Sequence, residues 1–265
     1  MESLLVKTRS VKSLLEASES LRDFPNIAQV IGQNIQANVY VIGRRGKILG
    51  YHLWEECSCS NMQEVLYFSQ RFPESYNQKL LLVTETQVNV TDKETSCIFS
   101  PTKCPLQEPR VTIIPIYGGG ERLGTITLSS AAKNLSDEAL VLAEFGAMVV
   151  GMEIMLLKTE RAESDTKKKA TVQIALSTLS FSELRAAGHI FNELGGLEGL
   201  VVASRVADRV GITRSVIVNA LRKLESASVI QSKSLGMKGT YIRILNENLL
   251  DELKKMGWQK QKTTI

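Results

Sequence analysis

The sequence predicts an α+β chain: an antiparallel sheet with helices packed on it, then one long helix leading to a smaller helical module that ends in a β-hairpin. Three observations predict it. Two pairs of β-rich runs, at 38–53 and 110–130, are each split by a short glycine-containing turn. A helical pattern opens at Ser136 and Asp137 and persists beyond residue 170. Positive charge gathers in one stretch, 201–243, where eight cations meet only Asp208 and Glu225. That surplus of six leaves the remainder of this +4 chain at −2, so the basicity is local.

The elements follow in order. Residues 3–20 place Leu4, Leu5, Val11, Leu14, Leu15 and Ala17 in one helical stripe, and a second helix over 25–35 has Pro25 in its first turn, where a missing N–H costs nothing. NVYVIG (38–43) and KILGYHL (47–53) read as strands joined by Arg44-Arg45-Gly46-Lys47, with Gly46 suited to positive φ. Residues 55–110 are the least periodic, with one helix expected around 61–71, and a long irregular excursion of this kind usually lines something. RVTIIPIYGGGERLGTITLSS (110–130) is a second hairpin. The long helix is apolar on most faces up to Leu157 and almost wholly charged or small from Lys158 to Lys169. The expected boundaries are therefore a first domain over 1–157, a linker helix over 158–178 and a second domain over 179–265.

Composition narrows the function classes. A hydrophobic content of 43% and a charged content of 23% describe a globular chain with a core to bury. No run of about 20 uncharged apolar residues occurs, and acids at Glu2, Glu16 and Glu19 argue against a targeting peptide, so a cytoplasmic protein with no membrane role is expected. Cys57, Cys59, Cys97 and Cys104 lack a familiar zinc spacing and are read as reduced thiols; no metal centre is expected. GGGERLG lacks the Gly-Lys-Ser/Thr ending of a phosphate loop, and His52 and His189 lie in different modules, so no catalytic constellation is expected.

The last third carries the sharpest motif. Ser180 and Glu183 are spaced as a capping box, and Gly195-Gly196 stops that helix. In VASRVADRVGITRSVIVNALRKLESASVI, Ala207 is small where two helices cross, Gly211 permits the turn, Ile212 plugs the core, and Thr213 can cap a helix whose Val216, Ala220, Leu221 and Leu224 point inward. A strand, turn and strand carrying Val229, Ile230, Tyr241, Ile242 and Ile244 follow as a wing. Together these describe a winged helix-turn-helix. Double-stranded DNA is the expected partner. Arg214, Asn219, Arg222 and Lys223 can read base edges or phosphates beside Val218, and Thr213 and Ser215 suit phosphates, as do Lys233 and Lys238 on the wing. Ala203, Ser204 and Arg205, opening the preceding helix, complete the expected DNA surface.

GITRSVIVNALRKLESASVIQSKSLGMKGTYIRIL, with RRGKILGY, PIYGGGERLGTI and LAEFGAMVVGMEI, closely resembles the CodY family of nutritional regulators of low-GC Gram-positive bacteria. The resemblance implies a GAF-type effector domain, a linker helix and a winged helix-turn-helix, acting as a homodimer or dimer of dimers. It implies repression of genes for amino-acid uptake and biosynthesis, with isoleucine, valine or leucine as corepressor and GTP as a second effector in many members. Matched positions give an amino-acid pocket of Met62, Val65, Phe72, Pro73, Tyr76 and Phe99, with Cys97 near the head group. The family's carboxylate-gripping arginine falls at about Asn61, so Arg71 or backbone amides must substitute, or binding is weaker. Matched positions also give a GTP site of Arg44, Arg45 and Lys47, with Glu153 and Lys158 from the long helix. The rival readings are a solvated hairpin tip at RRGK, plain core packing for Phe72, Tyr76 and Phe99, and a sensing or GTP-binding scaffold whose helix-turn-helix docks a protein.

Overall fold

Alternation along the strands organises the first unit, in a computed structural model that describes residues 3–16, 23–55, 59–91, 110–130 and 134–257. In β1 (Asn38–Gly43), Val39 and Val41 enter one core while Tyr40 and Ile42 enter another on the opposite face. β4 (Arg110–Gly118) divides likewise, Ile114 and Ile116 against Val111 and Ile113. A strand buried on both faces reads as a continuous apolar run, which is why NVYVIG lacks polar alternation. With β2 (Ile48–His52), β3 (Gln87–Val90) and β5 (Glu121–Ser130) the strands form an antiparallel sheet in the order β2-β1-β5-β4-β3. The two predicted hairpins thus join through β1 and β5, with Val41 opposite Ile126.

One face is covered by α1 (Leu4–Glu16), α2 (Phe24–Ile35) and the first half of α5 (Asp137–Ser177). Asp23 caps α2 by accepting from the Asn26 amide at 3.0 Å, and Ile27, Ala28, Ile31 and Ile35 are its buried stripe. The other face carries α3 (Ser60–Glu64), a π-helical turn over Val65–Ser69, and α4 (Glu74–Leu82). Expectation and structure differ here: the single helix expected around 61–71 ends at Ser69, and α4 and β3 were both read as irregular.

Contacts divide the chain into two compact units, Met1–Thr159 and Glu160–Ile265. The most apolar 18 residues of α5 have a mean hydropathy of 2.0, long and apolar enough by composition to cross a membrane. In the fold, Leu142, Ala143, Ala147, Val149 and Val150 are committed to the core against the sheet. Residues 161–171 of the helix are exposed, and Val172, Ala175 and Leu176 then enter the core of the second unit.

That core is closed by α6 (Phe181–Leu194), α7 (Ala203–Val210), α8 (Arg214–Ser226), α9 (Asn248–Lys255) and a three-stranded sheet in the order β6-β8-β7. β7 (Ile230–Ser234) and β8 (Thr240–Ile244) are the predicted wing. β6 (Glu198–Val201), read in sequence as loop, adds a third strand by pairing Leu200 with Tyr241. In α8 the inward positions are Ile217, Ala220, Leu221 and Leu224; Val216, expected inside, is only half-buried.

Candidate nucleic-acid interface and effector sites

α7 ends at Gly211, whose φ of 69° lies in the left-handed region and whose amide bonds the Ala207 carbonyl. Ile212 also donates to Ala207, at 3.1 Å, and this tight reversal sets α8 across α7. With Ile217, Ala220 and Leu224 facing the core, Arg214, Ser215, Val218, Asn219 and Arg222 share the exposed face, since residues four apart lie one above another on a helix. Thr213 sits at the N-cap, but its hydroxyl pairs with that of Ser215 at 2.8 Å instead of capping an amide. Ser204 and Arg205 are exposed on the first turn of α7, whereas Ala203 is packed partly against the core. Lys233 lies on β7 opposite Tyr241, and Lys238 closes the turn between the wing strands; both are exposed.

The cations separate into two sets. Arg209 pairs with Glu193 at 2.7 Å and Arg243 with Glu198 at 3.5 Å. Lys223, expected on the DNA surface, has its ammonium donating to Glu183 Oε2 at 2.7 Å and to the Thr178 carbonyl at 3.0 Å, so it fastens α8 to the start of α6. Glu183 is the buried member of the capping box, also accepting from the Ser180 amide at 2.7 Å. Lys223, then the Ser180 amide, hold its carboxyl below the usual carboxylate range. Arg205, Arg214, Arg222, Lys233 and Lys238 pair with no described acid and remain available to an external anion.

In the first unit, Tyr40, Phe72 and Tyr76 stack edge to face, with centroids 6.0 and 5.8 Å apart. Val65, Leu66 and Leu80 close around them, and Met62 packs on the margin. Pro73 stands at the start of α4, its carbonyl receiving the Tyr76 and Asn77 amides. Cys97 and Phe99 lie outside the described residues, as do Cys57 and Cys104. Arg71, one of the expected options for the effector carboxylate, meets the backbone of the RRGK turn. Its guanidinium donates to the Arg45 carbonyl at 2.5 Å, outside the apolar cluster, and Asn61 is exposed.

Arg71 therefore joins the RRGK turn. Gly46, at φ 79°, permits that turn, and a Cβ there would crowd Asn77 and the Phe72 carbonyl at 3.3 to 3.4 Å. Phe72 donates its amide to the Gly46 carbonyl at 2.9 Å, Ile48 to that of Gln70 at 2.9 Å, and Asn77 Nδ2 to that of Arg44 at 3.1 Å. Arg44 in turn donates its amide to Leu123 on β5 at 2.9 Å. The turn is thus laced to the segment bearing Phe72 and Tyr76, while the Arg44, Arg45 and Lys47 side chains are exposed. Of the two helix residues expected beside it, Lys158 is exposed and paired with Glu121 at 2.6 Å, and Glu153 is buried. The burial of Glu153 is what its position in an apolar run of α5 signals.

Comparison with known proteins fits these two assemblies. The model described as "CodY GAF-like domain" matches residues 3–178, and that described as "CodY helix-turn-helix domain" matches residues 197–257. The global transcriptional regulator CodY of Clostridium kluyveri is 51% identical over 259 residues, covering 97% of this chain and all of the relative. That of Clostridium botulinum strain Hall is 51% identical over 258 residues, with the same coverage. The chain belongs to the CodY family. A solved structure of the cofactor-binding GAF domain of the nutrient sensor CodY from Clostridium difficile is 34% identical, covers 58% of this chain and 99% of its own, and has a TM-score of 0.43. Within the CodY frame the chain is a transcriptional regulator, and its CodY helix-turn-helix domain contains α7, α8, the wing and α9.

Proposed function

We propose that this chain is an effector-gated DNA-binding regulator, chiefly a repressor, whose affinity for promoter DNA rises when a branched-chain amino acid occupies the first unit. The observation that carries the reading is the outward face of α8. Arg214, Ser215, Asn219 and Arg222 are exposed on one side of a helix whose other side is buried, with unpaired Lys233 and Lys238 on the adjoining wing. Arginine donates two bonds to guanine and asparagine pairs with adenine, while the wing lysines neutralise phosphates.

The effector is an aliphatic amino acid, isoleucine before valine or leucine, held by Met62, Val65, Phe72 and Tyr76 beside Pro73. Burying such a side chain contributes about 1.5–3 kcal/mol. With Arg71 engaged at Arg45, backbone amides take the carboxylate. GTP is the second effector, its phosphates meeting Arg44, Arg45 and Lys47, with Lys158 nearby. The segment 70–77 touches both proposed sites, since Phe72 belongs to the aromatic cluster while its amide holds Gly46. Copies of the chain assemble as a homodimer or dimer of dimers in a cytoplasmic setting. Calorimetric titration of the full chain with isoleucine, valine and GTP in turn tests the reading: heat saturating with isoleucine supports it, and no binding of any branched-chain amino acid refutes the effector assignment.

A further inference from the structure

The most informative contact outside the proposed sites is the one that Lys158 already makes. Glu121 is the first residue of β5, directly after the Gly119-Gly120 turn, and its Oε2 lies 2.6 Å from Lys158 Nζ. Two residues further on, the Leu123 carbonyl receives the Arg44 amide, so the start of β5 runs alongside the RRGK turn. The Glu121 carboxyl is held below the usual carboxylate range by its bond to Lys158 first, with Arg44 adding to the pull. The carboxylate thus lies in the positive field that a phosphate would enter.

We propose that Glu121 is a built-in phosphate surrogate, occupying Lys158 until a polyphosphate displaces it, and so sets how strongly an anion must be charged to bind at the RRGK turn. This rests on the nucleotide reading above. The ion pair is half exposed on both sides, 51% and 57%, so water screens it and it can be exchanged. A singly charged anion gains little by replacing one carboxylate with another negative group. A triphosphate that also spans the arginines of the turn recovers more than it displaces. Glu121 therefore lowers affinity for every anion and selects for multiply charged ones.

The experiment is calorimetric titration of the full chain with GTP, comparing the natural sequence, Glu121→Gln, Lys158→Ala and the double variant. Because Glu121 is exposed, thermal melting of Glu121→Gln should match that of the natural chain. The expected result is about three- to tenfold tighter GTP binding in Glu121→Gln, shrinking to less than about twofold in the Lys158→Ala background. Equal or weaker binding by Glu121→Gln, with GTP still bound by the natural chain, overturns the surrogate role and leaves the nucleotide reading intact. GTP bound by none of the four overturns both.

Discussion

Replacing Lys223 by alanine separates two roles that the exposed face of a recognition helix would otherwise confound. Lys223 is the only described partner side chain of the Glu183 carboxylate across α6 and α8, and it also donates to Thr178 at the end of α5. The Glu183 side chain is 10% exposed, so losing the ammonium leaves a buried carboxylate with only the Ser180 bonds; that of Lys223 is 42% exposed, so water recovers part of the loss. The balance is a destabilisation of about 1–2 kcal/mol, or roughly 4–8 °C in Tm per kcal/mol for a unit of about 100 residues. The sign of the pH dependence follows from Glu183. Its carboxyl is held below 4.5, so its contribution is full above that pH and disappears as pH falls through the lowered value. Lys223→Ala should therefore lose most stability near neutrality and converge on the natural chain in acid, as read by thermal unfolding monitored by circular dichroism from pH 3 to 8. Unchanged stability, together with a shallower salt dependence of DNA binding, would show that Lys223 serves phosphate and that the clasp reading is wrong.

Further outcomes are expected at four positions. Arg214→Ala should weaken specific promoter binding by about 1–3 kcal/mol with melting unchanged, whereas Lys238→Ala should mainly reduce the slope of log affinity against log salt by about one, both read by fluorescence anisotropy across a salt series. Phe72→Ala, emptying a position 2% exposed and stacked on Tyr40 and Tyr76, should destabilise the first unit by about 3–5 kcal/mol and abolish isoleucine binding in calorimetry; Phe72→Leu should retain most stability with weaker binding. Arg45→Glu should remove GTP binding while isoleucine still binds; equal GTP affinity in both chains would make the turn a solvated hairpin tip.

What was legible in the sequence was local. The capping box at Ser180 and Glu183, the Gly211 turn and the apolar spacing of α8 are set by residues a few positions apart, and the structure reproduces each, save that Ile217 and not Val216 is the fully buried residue of that turn. What was hidden needed a partner far along the chain. Nothing within 198–201 marks β6, because its strand state comes from pairing with β8, 39 to 45 positions later. α4 carries a weak stripe, Tyr76 and Leu80, and is fixed instead by Arg122, which donates to the Leu80 and Val83 carbonyls from β5. Arg71 is one option for the effector carboxylate and Lys223 a candidate DNA contact by sequence; each also meets a group brought near by the fold, the Arg45 carbonyl and the Glu183 carboxylate. Long cations are the residues whose destinations a sequence conveys least, since their reach exceeds the spacing that periodicity can register.

The central claim is that occupancy of the first unit changes the affinity of the second for DNA, which requires the ligand to favour one state of the protein over another. Fluorescence anisotropy of a labelled promoter fragment, titrated with the full chain with and without millimolar isoleucine at fixed salt, tests it most directly. The account predicts tighter binding with isoleucine by about 5- to 150-fold, the span of a typical coupling free energy. Identical affinity in both titrations, with isoleucine shown by calorimetry to be bound, would contradict it.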